Sequence, residues 1–424
     1  MAMLETLRNS LRLPGLRNRL LFTALMLVIL RVGAHIPVPG VNLERVSALF
    51  DQGGFLGLID LFSGGAFKSF AIFAMSVGPY INSSIIVQLL TIVIPKLEEM
   101  QKEGEEGRKK IQQYTRYGTV VLGLVQAFGL ALTLKNSDAF LSNNWTTLIV
   151  IMISLTAGTA FLMWLGEMIT EKGIGNGISL IIFAGIVSRI PGALVRMGEL
   201  VRAGSLNIFQ VALVGVIAIV LIAAVVLVLE GVRKIPVEYA KRVVGKRVYG
   251  GQRTHLPLKI NQAGVIPVIF AQSLLLLPST VAQFVPTSGF AIFVGTYLRT
   301  SGVWYWGIYA LLIVFFTYFY TAVTFNPTEI ADNMKKNGGF VPGFRPGKPT
   351  ADYLARISER ITLVGSLFLA IISVLPVIII STTGVTEAYL GSTTLLIVVG
   401  VAIETMKQIE AQLVMRHYQG FMRS

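Results

Sequence analysis

Cysteine is absent from the 424 residues, which excludes disulfides and thiolate-bound metal. The three histidines, His35, His255 and His417, lie in separate regions without ligand spacing, so no metal site is expected. Charge is scarce as well: Asp, Glu, Lys and Arg make up 14% of the chain and avoid the middles of its apolar runs. Ion-coupled pumps and transporters need an ionisable group near mid-membrane, where it costs about 2.5–3.5 kcal/mol on insertion scales. Here Glu167, Glu230 and Glu404 sit toward run ends. Arg31 and His35 lie near the outer end of the first run, where a snorkelling side chain is the simplest reading. No HExxH or GxSxG occurs, "GIGNG" (173–177) is not a dinucleotide fingerprint, and "EGRKK" (106–110) is not a phosphate-binding loop. Neither an enzyme nor a bound cofactor is expected.

What is abundant is apolar sequence, 54% of residues at a mean hydropathy of +0.70. It is gathered into blocks at about 20–38, 71–94, 117–134, 147–166, 178–190, 208–230, 260–278, 302–325, 361–381 and 392–410. About 20 helical residues cross a hydrocarbon core of about 30 Å, whereas barrel strands would be about 10 residues with strict alternation. The chain therefore reads as an all-α polytopic membrane protein with ten transmembrane helices. With the N-terminus cytoplasmic, roughly four times as many Lys and Arg residues fall inside as outside, so both termini are placed in the cytoplasm. The N-terminal "LETLRNSLRLPGLRNRL" sets leucines at helical spacing among arginines and reads as an interfacial helix on anionic lipid. A signal-peptide n-region is the competing reading, but Arg31 spoils the apolar run and nine more blocks follow.

Five spans precede the outside loop 191–207 and five follow it. Two such halves, 1–200 and 201–424, have opposite orientations, the layout of inverted repeats whose functional path lies where the halves meet. Three segments do not fit a simple bundle. "GPYINSSIIVQLLTIVIP" (78–95) places Ile81, Ser84, Ile85, Gln88 and Thr91 in one sector of roughly 120°, a mixed face unsuited to lipid. "GGFLGLIDLFSGGAFKSF" (53–70) is too short and interrupted to cross, so it must fold into protein or a wet cavity; a surface loop packed on helix ends is the plainer alternative. The inside loops 233–260 and 326–356 are long, basic and threaded with Tyr, Phe, Pro and Gly. That composition suits docking of something acidic, such as ribosomal RNA or an acidic protein patch, beyond what topogenic charge requires.

Seven stretches in order carry a resemblance to a known family: "IPVPG" (36–40), "LFSGGA" (61–66), "PYINSSIIVQLL" (79–90), "GIGNGIS" (173–179), "THLPLKINQAGVIP" (254–267), "NPTEIADNMKKNGGFVPGFRPG" (326–347) and "LLIVVGVAIETMKQIEAQL" (395–413). The chain resembles the SecY/Sec61-alpha family of protein-conducting channels over essentially its whole length. The resemblance implies a central pore clamped by the two five-helix halves, passing unfolded secretory chains across the bacterial plasma membrane and releasing transmembrane segments sideways between spans two and seven. It implies a plug at about 54–67, here Phe55, Leu56, Leu58, Ile59, Leu61, Phe62, Ser63, Gly64 and Gly65. The implied pore ring is Ile81, Ile85, Ile178, Ile182, Ile269 and Ile397, the span-five members being open among Ile178, Ile181 and Ile182. The implied gate cluster is Ser84, Gln88, Thr91, Gln126 and Asn261, and the docking residues are Lys246, Arg247, Arg345 and Lys348. The implied partners are the SecE and SecG subunits, the SecA motor ATPase, a ribosome with its nascent chain, signal sequences and anionic lipids. The reading weighed against this one is an inverted-repeat secondary transporter of small solutes.

Overall fold

The computed structural model describes residues 14–46, 63–137, 139–142, 144–239, 242–244, 247–249, 253–284, 288–298, 302–383 and 392–421. The elements run α1 (Pro14–Gly33), α2 (Gly78–Val93), α3 (Pro95–Lys102), α4 (Glu105–Asn136), α5 (Trp145–Lys172), α6 (Gly177–Val187), α7 (Ile190–Arg202), α8 (Ile208–Glu230) and β1 (Val232–Tyr239). They continue with β2 (Arg242–Val244), β3 (Arg247–Tyr249), β4 (Arg253–Lys259), α9 (Ile266–Phe284), α10 (Gly289–Tyr297) and α11 (Val303–Thr324). The last are α12 (Pro327–Lys336), β5 (Gly339–Phe340), α13 (Lys348–Thr383) and α14 (Ser392–Phe421). Among the described residues, six helical stretches are long and apolar enough to cross a membrane, or seven if the bent pair α2–α3 is one span. The most apolar is α8, which buries little of its surface and shows Phe209, Val216, Ile219 and Leu227 outward, as a helix bathed in lipid should.

Every apolar block of the sequence falls on a helix, but some edges move. The second helix starts at Gly78 rather than 71, because residues 71–77 form successive turns between Phe70 and Ser76, both at positive φ. It ends where Ile94 is forced extended by Pro95, and α3 departs at 100°.

The chain divides into two compact units. The first comprises 1–207, 272–305 and 401–424. In it, the segment after Ser63 is stitched to the end of α1: Pro37 bridges Ala71, Val38 N–H donates to Phe70 O at 2.9 Å, and Ile72 N–H donates to Ile36 O at 3.0 Å. Its core gathers Val38, Phe67, Phe70 and Met75 with Ala127, Leu130 and Ala131 of α4 and Ile151 and Leu155 of α5. Small residues let backbones approach in the manner of membrane bundles. Ser83 Oγ on α2 donates to Thr115 O at 2.8 Å across a notch at Gly118, and a Cβ on Gly158 would lie 1.9 Å from Ile72 O. An ion pair of Arg116 with Glu167, at 2.8 Å, joins the first half of α4 to the last turns of α5.

The second unit comprises 208–271 and 306–400. Here the basic loops, whose composition suggests a docking surface but no particular secondary structure, fold into a sheet of order β4-β1-β5, with Ile235 opposite Leu256 and Val237 opposite Thr254. Ile235 and Val237 are buried at a spacing of two, the period of a half-covered strand. Pro236 is tolerated in the central strand because β5 pairs only with Glu238 and Tyr239, beyond the missing N–H. The sheet shares a core with α12 and the start of α13, through Leu258, Val341, Leu354, Ile357 and Ile361.

Candidate functional site

Helix α2 sorts its polar residues by face. Ser83 points to α4, as above, while Gln88 Nε2 donates to Ser84 Oγ at 3.3 Å and Thr91 Oγ1 to Gln88 O at 2.6 Å, all along the strip that also carries Ile81 and Ile85. Thr91 is buried, and Ser84 and Gln88 are half-buried. Gln126 on α4 is half-buried as well. Asn82, which the sector reading left out, is buried with its Oδ1 unpaired. In the second unit Asn261 donates through Nδ2 to Gly264 O at 2.8 Å, while its own Oδ1 is buried without a partner.

The isoleucines proposed for a constriction are all covered to some degree. In the first unit Ile81, Ile85 and Ile182 are buried, whereas Ile178 is half-buried and lies over Gly166 of α5, its Cδ1 occupying the place of a side chain there. In the second unit Ile269 and Ile397 are buried. There Val265 fills the notch at Gly400, and about one helical turn from this contact each helix carries one of those isoleucines, Ile269 on α9 and Ile397 on α14.

Of the plug expected at about 54–67, Phe55, Leu56, Leu58, Ile59, Leu61 and Phe62 lie outside the described residues. Ser63, Gly64 and Gly65 are described. Gly64 adopts φ +66° and rests on the backbone of Gly185 in α6; a Cβ there would meet Gly185 Cα at 2.8 Å. Arg31, exposed in the last turn of α1 where snorkelling is expected, also donates through Nη1 to Gly64 O at 2.9 Å. Leu27, Leu162, Ile181 and Ser76 close a small cavity of about 30 Å³ around this contact, enough for a water beside the guanidinium. The bond spans 33 residues, and nothing local in the sequence announces it.

Of the docking residues, Lys246 lies outside the described residues, and Arg247 is described only by its place in β3 opposite Val244. Arg345 and Lys348 are exposed. Arg345 sits on a firmly held turn: its carbonyl accepts from Thr350 Oγ1 at 2.8 Å, Phe344 N–H donates to Val341 O at 3.0 Å, and the Phe344 ring stacks on Tyr353 at 4.0 Å. Gly343 and Gly347 supply the positive φ values, +87° and +103°, that the turn needs. Among the described residues no cluster of His, Asp and Glu has metal-binding geometry.

A family model described as SecY matches residues 71–406. The protein translocase subunit SecY of Halalkalibacterium halodurans is 49% identical over 99% of this chain and 100% of its own length. That of Bacillus subtilis is 48% identical over the whole of both chains. Among solved structures, one of a SecY protein whose plug domain was studied superposes with a TM-score of 0.66 at 21% identity, covering 94% of this chain and 92% of that one. Sec61 from a canine ribosome-channel complex superposes with a TM-score of 0.62 at 19% identity, covering 94% and 93%. At those identities the structural likeness shows the shared fold.

Proposed function

The chain belongs to the SecY family, a multi-pass membrane subunit of the protein translocase, and from that premise we propose how its residues conduct a polypeptide. It forms a protein-conducting channel; its relatives lend the solute-transporter reading no support. Ten spans in two oppositely oriented halves surround the path in a bacterial plasma membrane, with both termini in the cytoplasm. The waist is a ring of Ile81, Ile85, Ile182, Ile269 and Ile397, with Ile178 on its rim. Branched aliphatic side chains close around a chain of any sequence, hold back ions by dewetting, and offer substrate nothing to bind. The observation that carries this reading is the pair Ile81 and Ile85, one turn apart on a strip whose only polar groups are uncharged.

The plug is residues 54–67, rooted at Ser63–Gly65. A gate between spans two and seven opens sideways when a signal sequence enters it, and Ser84, Gln88, Thr91, Gln126 and Asn261 set its threshold. SecE and SecG complete the channel, anionic lipid holds the N-terminal segment, and SecA or a ribosome with its nascent chain docks on the basic sheet module through Lys246, Arg247, Arg345 and Lys348. Nucleotide energy enters through those partners.

Interhelical hydrogen bonds in membranes average about 0.6 kcal/mol, whereas an apolar signal segment gains roughly 0.3–0.6 kcal/mol per leucine-like residue. A modest change at the gate is therefore legible in substrate choice. Replacing Gln88 and Asn261 by Leu gives up their bonds to Ser84 Oγ and Gly264 O but spares the burial of two side-chain amides, the larger of the two effects, so the packed state is favoured. Precursors with weakened signal sequences should then be exported several-fold less, while strong ones pass as before. Unchanged export across a graded series of signal sequences would remove these residues from the gate.

A further inference from the structure

The "GIGNG" segment matches no nucleotide-binding fingerprint and plays no part in the pathway above, yet among the described residues it is tied to three helices by side-chain hydrogen bonds. Gly173 caps α5 by donating to Ile169 O at 2.8 Å, and a Cβ there would lie 2.5 Å from Thr23 Oγ1. Ile174 is buried beside Leu16 of α1 and Ile409 of α14, and its N–H donates to Thr23 Oγ1 at 3.1 Å. Gly175, at φ +88°, donates to Gln408 Oε1 of α14 at 2.9 Å. Asn176 caps α6 by accepting from Ser179 N–H at 3.2 Å. Gly177 donates to Thr170 Oγ1 of α5 at 2.9 Å, and its Cα sits so near α5 that a Cβ would be 1.9 Å from Gly166 O.

The N–H groups of 174, 175 and 177 are thus taken up by side chains from three different helices, α1, α14 and α5. A glycine-rich turn at a helix N-terminus ordinarily offers such groups to an anion. Here they are occupied, so the turn is a joint and not a ligand site. It is the joint from which α6 starts, and α6 carries Ile178, Ile181 and Ile182 within its first two turns.

We propose that residues 173–177 clasp the inner end of span ten to the start of span five, and that Gln408 and Thr23 are positioning residues that hold the channel's span-five isoleucines in the packed state. The inference rests on the channel reading. A load applied by a cytosolic partner at the inner end of α14 reaches α6 through the Gln408–Gly175 bond, and loosening that bond lowers the threshold for opening.

Two matched pairs of variants test it, each differing in the ability to accept one hydrogen bond. Gln408→Leu removes the acceptor and Gln408→Glu keeps it; Thr23→Val removes the hydroxyl at nearly constant volume and Thr23→Ser keeps it. Each full-length variant is reconstituted into vesicles with the partner subunits. Export is measured for a precursor with an intact signal sequence and for one with a weakened signal. Gln408→Leu and Thr23→Val should pass the weakened precursor about fivefold more than the unaltered chain, with Gln408→Glu and Thr23→Ser near the unaltered level. Equal signal dependence within each pair overturns the clasp while leaving the channel reading intact. Failure of the unaltered chain to pass the intact precursor refutes the channel reading itself. Thr23→Val, nearly isosteric, keeps the test decisive if Gln408→Leu does not accumulate.

Discussion

Charge reversal at Arg345 is expected to reduce motor-driven export at least about tenfold, with the amount of channel in the membrane unchanged, because like charges juxtaposed across an interface cost several kcal/mol. The reason lies in the turn that presents it. The Thr350 hydroxyl, the Phe344–Tyr353 stack and two glycines at positive φ fix the backbone, so the guanidinium is offered to a partner at little cost in loop ordering. The fold below does not depend on the side chain, which is exposed and outside the Ile235–Leu354 core. Arg345→Glu in vesicles carrying the motor and a secretory precursor gives the rate, and quantitative blotting gives the amount of channel. Export at the unaltered rate would take Arg345 out of the docking surface.

Replacing Arg31 by Leu is expected to raise ion leak through idle channels about tenfold or more. The guanidinium holds Gly64 by a charged hydrogen bond, worth about 1.5–3 kcal/mol, and every 1.4 kcal/mol is a factor of ten in the balance between a seated and a released root of the proposed plug. Gly64 has a second hold, its close packing on Gly185, which is why the leak should increase without the channel standing permanently open. Arg31→Lys keeps a donor of shorter reach and should fall between the two. Conductance of purified channels in planar bilayers reads the effect, and equal leak in all three would return Arg31 to the snorkelling role suggested by its place in the first span.

The membrane helices were legible because a lipid-crossing helix needs about 20 apolar residues, a demand written directly into composition. The break after Val93 was legible too, in Pro95. The sheet of the basic loops was not. Its alternation is carried by only a few buried residues, Ile235, Val237 and Leu258, with Pro236 and Pro257 interrupting it and Arg and Lys scattered along both strands. The bond of Arg31 was illegible for a different reason: position along one helix says only that the side chain can snorkel, whereas its acceptor comes from a backbone turn 33 residues away. On α2 the helical wheel isolated the strip of Ile81, Ser84, Ile85, Gln88 and Thr91. It could not show that Ser83, on another face, is used to bind α4, because that depends on a missing side chain at Gly118. The clasp is the extreme case. Three glycines in five residues signal only a turn, and the acceptors that give it meaning, Thr23, Thr170 and Gln408, come from places where Thr or Gln excites no suspicion.

The path of the polypeptide is tested most directly by placing a photoreactive residue in turn at Ile85, Ile182, Ile269 and Ile397, and at the outward-facing Ile219 and Val220 of α8, in channels arrested with a precursor halfway through. Strong cross-links to the precursor from the four ring positions, with none from α8, are the result expected of an apolar waist that a passing chain must touch. Cross-links from α8 and none from the ring would mean that the chain travels elsewhere.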